Sequence, residues 1–446
     1  MSVFPKKNVW LCAACFVTYW TLHAALAGES EVPLELNAYL GQPDDSYEWK
    51  IAEKRSDNAL LVEVTSQTWH GIVWKHDMIV VRPKTLRFRD SAVLFITGGR
   101  IGQKPGAGDW ITAEMLAENT GSYVALLFQV PNQPLFDNLS EDALISESLV
   151  KAIAEKDATW PALFAMAKSA VRAMDAVQAV VKQEDKNEVK RFVVTGASKR
   201  GWTTWLAAAS GDPRVLAIVP IVIDTLNIQK QMLYQLETWG DWSESIRDYT
   251  DRKLLNQNPD EMDAFRKSLW KMVDPYYYRS RLTMPKLLIH GTNDPYWTVD
   301  ASHNYWDELT GPKYILTLPN VGHNLGNQKV KGVLTLAVFA KYAFSGGEWP
   351  NVIWQCGENE AGNYVVRVES EIPNGTSVKL WTAQSDTKEF RKANWTSRDL
   401  DAKPGDSGHY EAEISKPENG HVAFYIELES NWDDLPFALT TQVWRK

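Results

Sequence analysis

The sequence predicts an α/β fold, a mostly parallel sheet flanked by helices, and three observations carry that expectation. Short continuous apolar runs recur at residues 92–97, 123–128, 192–194, 215–223, 286–290 and 314–318. Runs without polar alternation are what strands buried on both faces require. Helical patterns lie between them, which is the alternation of a parallel sheet covered on both sides. Third, Ser198 sits on a tight Gly196-Ala197-Ser198 turn between one such run and a helix-forming stretch at 202–209.

Taken in order, residues 31–90 read as strands, with 59–65 and 71–81 forming an antiparallel hairpin that ends at Arg82-Pro83. Residues 111–119 fit a helix. Residues 160–181 fit a longer one, with Leu163, Ala167, Ala170, Met174 and Val177 on one face and Pro161 suited to its first turn. A charged connector, 182–190, leads into the run before Ser198. Residues 226–282 then break the rhythm, being rich in Trp, Tyr and charge with a helical piece at 261–272. An insertion of this length between sheet strands is expected to form a cap over the site. Alternation resumes with helices expected at 300–309 and 330–344. Gly346-Gly347-Glu348-Trp349-Pro350 punctuates the chain like a linker. Beyond it, short alternating runs at 364–368, 377–381, 409–414 and 422–428, separated by turn residues, predict a small β-sandwich. The expected organisation is a leader at 1–27, an α/β domain at 28–347 with its cap at about 226–282, and a β-sandwich at 348–446.

The leader rests on Lys6 and Lys7 ahead of a mostly apolar stretch at 9–26, closed by Ala25-Leu26-Ala27 before Gly28. That is the layout of a cleaved signal peptide and implies a secreted or periplasmic protein. A membrane anchor is the competing reading; Thr18, Thr21, His23 and the small-x-small end favour cleavage, after which no segment is apolar enough to span a bilayer. Cys12 and Cys15 would leave with the leader, so Cys356 has no intrachain partner and stability must come from the core. The 446 residues carry a net charge of −9, which argues against nucleic acid as a partner. Twenty tryptophans exceed ordinary usage and suit both a core and the lining of a cleft for a small-molecule or peptide substrate.

A serine between strand and helix is the design of a nucleophile elbow. The strained turn needs small neighbours, and the helix dipole points at the hydroxyl. The usual Gly-x-Ser-x-Gly is altered here, since Arg200 takes the second position after Ser198 and the glycine is delayed to Gly201. Two later loops supply partners. The 286–290 strand ends in Gly291-Thr292-Asn293-Asp294, and the 314–318 strand ends in Pro319-Asn320-Val321-Gly322-His323. Ser198, Asp294, His323 is the chain order of an α/β-hydrolase triad, in which the imidazole takes the serine proton and the carboxylate fixes the imidazole. Asp224, also at a strand end, is the runner-up acid; His290 and His303 are less suited as bases. The oxyanion donors expected are the backbone N–H of Lys199 and one from Gly98-Gly99-Arg100, taken as Gly99. No His-Glu-x-x-His, cysteine pair or phosphate-binding glycine loop occurs, so neither metal nor cofactor is expected. Asn138, Asn374 and Asn394 head Asn-x-Ser/Thr triplets, relevant only if the host glycosylates.

The stretches Val130-Pro131-Asn132-Gln133-Pro134, Thr195-Gly196-Ala197-Ser198-Lys199-Arg200-Gly201-Trp202-Thr203 and Pro220-Ile221-Val222-Ile223-Asp224-Thr225-Leu226-Asn227 extend the picture. With Asp274-Pro275-Tyr276 and the two partner loops, they make the sequence resemble the PhoPQ-activated pathogenicity-related protein family, which includes autocrine proliferation repressors. The resemblance implies an α/β-hydrolase fold and a secreted or periplasmic location, makes Arg200 an expected departure, and implies no substrate. The delayed glycine is also similar in layout to the elbow of glucuronoyl esterases.

Lys199, Arg200 and Asn132 are the candidate substrate contacts. Two cations at a helix N-terminus need compensation. Either Arg200 turns beneath the elbow onto a carboxylate, with Asp224 a candidate, or one cation, Lys199 rather than Arg200, faces the cleft and binds a substrate anion. The function expected is a secreted serine hydrolase acting on an ester or peptide bond through an acyl-enzyme. The alternative is a non-catalytic secreted signalling or binding protein on the same scaffold.

Overall fold

The computed structural model describes residues 32–347, 349–372, 376–402 and 408–446. The expected leader, Cys12, Cys15 and Asn374 lie outside the described residues. Helix α1 (Glu35–Leu40) precedes β1 (Glu48–Ser56), β2 (Ala59–Trp69) and β3 (Ile72–Val81), which pair antiparallel. The β2–β3 turn puts His70 at φ 46° and Gly71 at φ 77°, the left-handed pair that suits a two-residue hairpin. The chain then alternates through β4 (Phe88–Ile96), α2 (Ala107–Thr120), β5 (Ser122–Leu127), α3 (Glu141–Glu155), α4 (Ala162–Asp185), β6 (Arg191–Ala197), α5 (Lys199–Ala209) and β7 (Val215–Ile221). Helices α6 (Ile228–Trp239), α7 (Arg247–Thr250) and α8 (Ala264–Val273) fill the segment expected to lack strands. Strand β8 (Lys286–Gly291), β9 (Lys313–Leu318) and α9 (Lys329–Ser345) complete the unit. The helix expected at 300–309 is instead two 3₁₀ turns, Ala301–Asn304 and Trp306–Glu308.

These strands form one sheet in the order β1-β2-β3-β5-β4-β6-β7-β8-β9, parallel from β5 through β9. The pleat sends alternate residues to opposite faces. Leu94, Val194 and Ala125 join the apolar cluster under α4 and α5, while their neighbours Val93, Val193 and Val124 join the one under α2 and α9. Both faces are therefore dry, which is why the strands read as continuous apolar runs. The order, the parallel connections and the serine turn after β6 make this the α/β-hydrolase fold.

The C-terminal strands are β10 (Val352–Glu358), β11 (Tyr364–Ser370), β12 (Ser377–Ser385), β13 (Thr396–Asp399), β14 (His409–Ile414), β15 (His421–Trp432), β16 (Leu435–Thr440) and β17 (Trp444–Arg445). They build two antiparallel sheets, β10-β11-β14 and β13-β12-β15-β16 with β17 on β15. Val366 and Ala412 of one sheet share an apolar cluster with Leu380, Phe424 and Ile426 of the other. That cluster continues into Leu336 and Phe339 of α9 and Leu316 of β9. Thr440 accepts the Thr317 N–H at 3.0 Å, so the β9 edge is covered rather than left as a template for aggregation.

Candidate active site

Ser198 joins β6 to α5 with φ 59° and ψ −129°, a strained conformation for a residue bearing Cβ. Its N–H donates to Ile221 O at 2.8 Å, pinning the turn to β7. The elbow closes because two residues lack side chains. A Cβ on Gly196 would lie 2.6 Å from Arg200 O, and one on Gly201 would lie 2.5 Å from Ile223 Cγ2 and 3.0 Å from Gly196 O. The delayed glycine thus does its work on the inner side of the first helical turn, leaving Arg200 free to carry a side chain.

The β9 loop brings His323 over this serine. The Ser198 hydroxyl donates to His323 Nε2 at 2.7 Å, and Nδ1–H donates to Asp294 Oδ2 at 2.8 Å. The Asp294 side chain is almost wholly buried, and its other oxygen accepts the Tyr296 N–H at 2.9 Å. Tyr296 packs on the imidazole, ring centroids 4.3 Å apart. Burial first, then the carboxylates of Asp142 and Asp294, push its phenol up to about 12, so it stays neutral beside the base. The alternative acid, Asp224, faces elsewhere: it accepts the Tyr305 hydroxyl and lies 3.4 Å from His290 Nδ1. Burial raises its pKa, and His290 opposes the rise. His303 bonds Val443 O, at the C-terminal strands.

The two cations after Ser198 meet the first turn of α3. Arg200 grips Glu141 with both terminal nitrogens, at 2.6 and 2.8 Å, and its Nε donates to Val130 O at 2.5 Å. Its carboxylate partner is therefore Glu141 and not Asp224, which pairs instead with Tyr305 and His290. Lys199 lies 3.1 Å from Glu141 and 3.0 Å from Asp142, and is largely buried. Asn132 is buried too, its amide donating to Lys75 O at 2.6 Å.

The Gly98-Gly99 loop follows β4, whose Ile96 is in register with Gly196. Gly99 has φ 116°, which effectively requires glycine. A Cβ on Gly98 would sit 2.4 Å from Arg200 Nη2, so the guanidinium lies where a side chain would otherwise be. Gln133 links the pieces, donating to Gly99 O at 3.1 Å and to Glu141 Oε1 at 2.5 Å. Lys199, as the first residue of α5, has no helical acceptor for its N–H.

Sequence reasoning missed Glu141, Asp142, Gln133 and Tyr296. A signal for the first two was present. Ser140-Glu141-Asp142 precedes Leu144, Ile145, Leu149 and Ala152 at helical spacing, the mark of an acid-rich helix start. Among the described residues, no group of His, Cys, Asp and Glu is arranged to hold a metal ion, and no helix is long and apolar enough to cross a membrane.

Residues 36–391 match the family described as PhoPQ-activated pathogenicity-related protein. The chain belongs to that family. This member is 31% identical to autocrine proliferation repressor protein A of Dictyostelium discoideum, over 88% of this chain and 85% of that protein. Among solved structures, it is similar to an acetyl xylan esterase from Paenibacillus sp. R4, at 13% identity and TM-score 0.47, covering 75% of this chain and 96% of that one. A glucuronoyl esterase from Solibacter usitatus matches at 13% identity and TM-score 0.39, covering 69% and 91%.

Proposed function

We propose that this protein is a serine hydrolase that cleaves an ester or peptide bond through an acyl-enzyme, acting outside the cytoplasm. The observation that carries the reading is the unbroken chain from Ser198 Oγ through His323 to Asp294, at 2.7 and 2.8 Å. Asp294 holds the Nδ1–H tautomer, which leaves the Nε2 lone pair facing the serine proton. Ser198 attacks the substrate carbonyl as His323 takes that proton. The backbone N–H groups of Lys199 and Gly99 receive the oxyanion. His323 then protonates the leaving alcohol or amine, and water repeats the sequence to release the acid and restore the serine.

The ion pairs of Lys199 bear on the substrate. With Glu141 and Asp142 already against its ammonium, a substrate anion would compete with two protein carboxylates. The reading therefore favours neutral substrates.

A fluorophosphonate probe tests the mechanism, since only an activated serine is phosphonylated. One equivalent should be incorporated by the wild type and none by Ser198→Ala. A folded wild type that takes up no label is the outcome for a non-catalytic signalling or binding protein, and would end the hydrolase reading.

A further inference from the structure

The loops bearing Asp294 and His323 are joined by the Asn293 N–H, which donates to Val321 O at 3.0 Å, and a chain of polar side chains ties both to the loop between β12 and β13. Thr292, 2% exposed, donates its hydroxyl to Asn293 Oδ1 at 2.6 Å and accepts the Asn320 N–H at 2.9 Å. Asn293 and Asn320 then reach the same short segment of the C-terminal part. The Asn293 amide donates to Ala393 O at 2.8 Å and Arg391 O at 3.2 Å. The Asn320 carboxamide takes both backbone groups of one residue: its nitrogen donates to Trp395 O at 2.9 Å, and its oxygen accepts Trp395 N–H at 2.8 Å. A carboxamide carries its donor and its acceptor on separate atoms, which is what these two bonds require. The segment is itself fixed, because Phe390 and Trp395, each 2% exposed, are packed with Tyr425 of β15 and with Val443 just before β17.

We propose that Thr292, Asn293 and Asn320 are positioning residues that clamp the acid and base loops onto residues 391–395, making the C-terminal β-structure a working part of the active site. The inference rests on the hydrolase reading for its effect on catalysis. Asp294 stands one residue from Asn293, and His323 three from Asn320. Together with the Asn293 N–H to Val321 O bond, the clamp therefore sets the distance from Nδ1 to Oδ2, and through it the aim of Nε2 at Ser198. A misplacement of about 1 Å at such a contact is worth on the order of a hundredfold in rate, so partial loosening should cost at least about tenfold.

Three variants of the full chain test it. Thr292→Val removes the bridging hydroxyl at nearly constant volume, and Thr292→Ser restores it. Asn320→Asp keeps the acceptor but sets an oxygen against Trp395 O, and aspartate tolerates the φ of 58° found there. Hydrogen–deuterium exchange is read on peptides spanning 291–297 and 319–325, with 195–209 as the internal reference, alongside the rate of fluorophosphonate labelling. Exchange in the two loop peptides should rise in Thr292→Val and Asn320→Asp, stay unchanged in the elbow peptide, and return towards wild type in Thr292→Ser. Labelling should fall at least about tenfold in the first two and recover in the third. Unchanged exchange in the loop peptides overturns the clamp, as does raised exchange with full labelling rates. If the wild type takes up no probe, the hydrolase reading fails on its own, and the exchange measurement still decides whether the clamp holds the loops.

Discussion

Arg200 stands where the common elbow has glycine, and its surroundings explain how a large cation is accommodated there. Gly98 offers an empty Cβ position against the guanidinium, while Glu141 and Val130 O take all three of its nitrogen groups. Lysine keeps the charge but not the fork. Arg200→Lys should therefore lower stability by about 1.5–3 kcal/mol, the worth of a hydrogen bond to a charged group, as measured by urea denaturation. A loss below the error of that method would show that the pair is exposed to screening and holds nothing in place. The two candidate acids separate just as cleanly. Asp294→Asn should slow turnover or probe labelling at least about a hundredfold, because the imidazole loses the acceptor that fixes its tautomer. Asp224→Asn, at a carboxylate that pairs with Tyr305 and His290, should leave the rate close to wild type and act on stability. The reverse pattern would reassign the acid.

Helices α3 and α5 begin side by side, and the first turn of each carries the charge the other needs. Lys199 and Arg200 oppose the dipole of their own helix, whereas Glu141 and Asp142 suit theirs and neutralise both cations. Burial works against the Glu141 carboxylate, but the Arg200 hydrogen bonds and charge, Lys199 and Gln133 outweigh it and hold its pKa at about 2. A pKa lowered by folding means that the unfolded chain binds more protons in acid. The Glu141 contribution is therefore complete above about pH 4.5 and disappears as pH falls towards 2. Glu141→Gln should be less stable than wild type at pH 7, with the gap narrowing between pH 4.5 and 2; denaturation midpoints at pH 7, 4 and 3 measure it. A gap that stays constant down to pH 3 would mean that packing, not charge, is what Glu141 supplies.

The whole molecule is held together across its expected boundary by α9. One side of this helix covers the parallel sheet and the other receives β16, with the Thr335 hydroxyl accepting the Ala438 N–H at 3.1 Å. Trp349, just past the linker glycines, is 6% exposed and packs edge-on to Phe339, Tyr342 and Phe437. Since the apolar cluster runs through both parts, proteolytic nicking at 346–350 should leave the fragments associated through size-exclusion chromatography in native buffer. Trp349→Ala should remove about 3–5 kcal/mol, the usual cost of deleting a buried tryptophan. Two separate unfolding transitions in the wild type would contradict this continuity.

The sequence by itself determined the parallel strands, the elbow and the order of Ser198, Asp294 and His323. Each of these is encoded locally, by an apolar run, a glycine-flanked turn or a polar residue at a strand end. It carried β1 poorly, because most of that edge strand is exposed and leaves no apolar pattern. It ranked Asp294 above Asp224 as the acid by strand order alone, since both end a strand, and the loop paths are what bring the Asp294 carboxylate to His323 Nδ1. Sequence alone could not pair Arg200 with Glu141, 59 residues away, or Asn320 with Trp395, 75 residues away. Those partners are set by which helix starts and loops the packed sheet brings to one end, and a charge or an amide in a sequence does not say where its complement will fold.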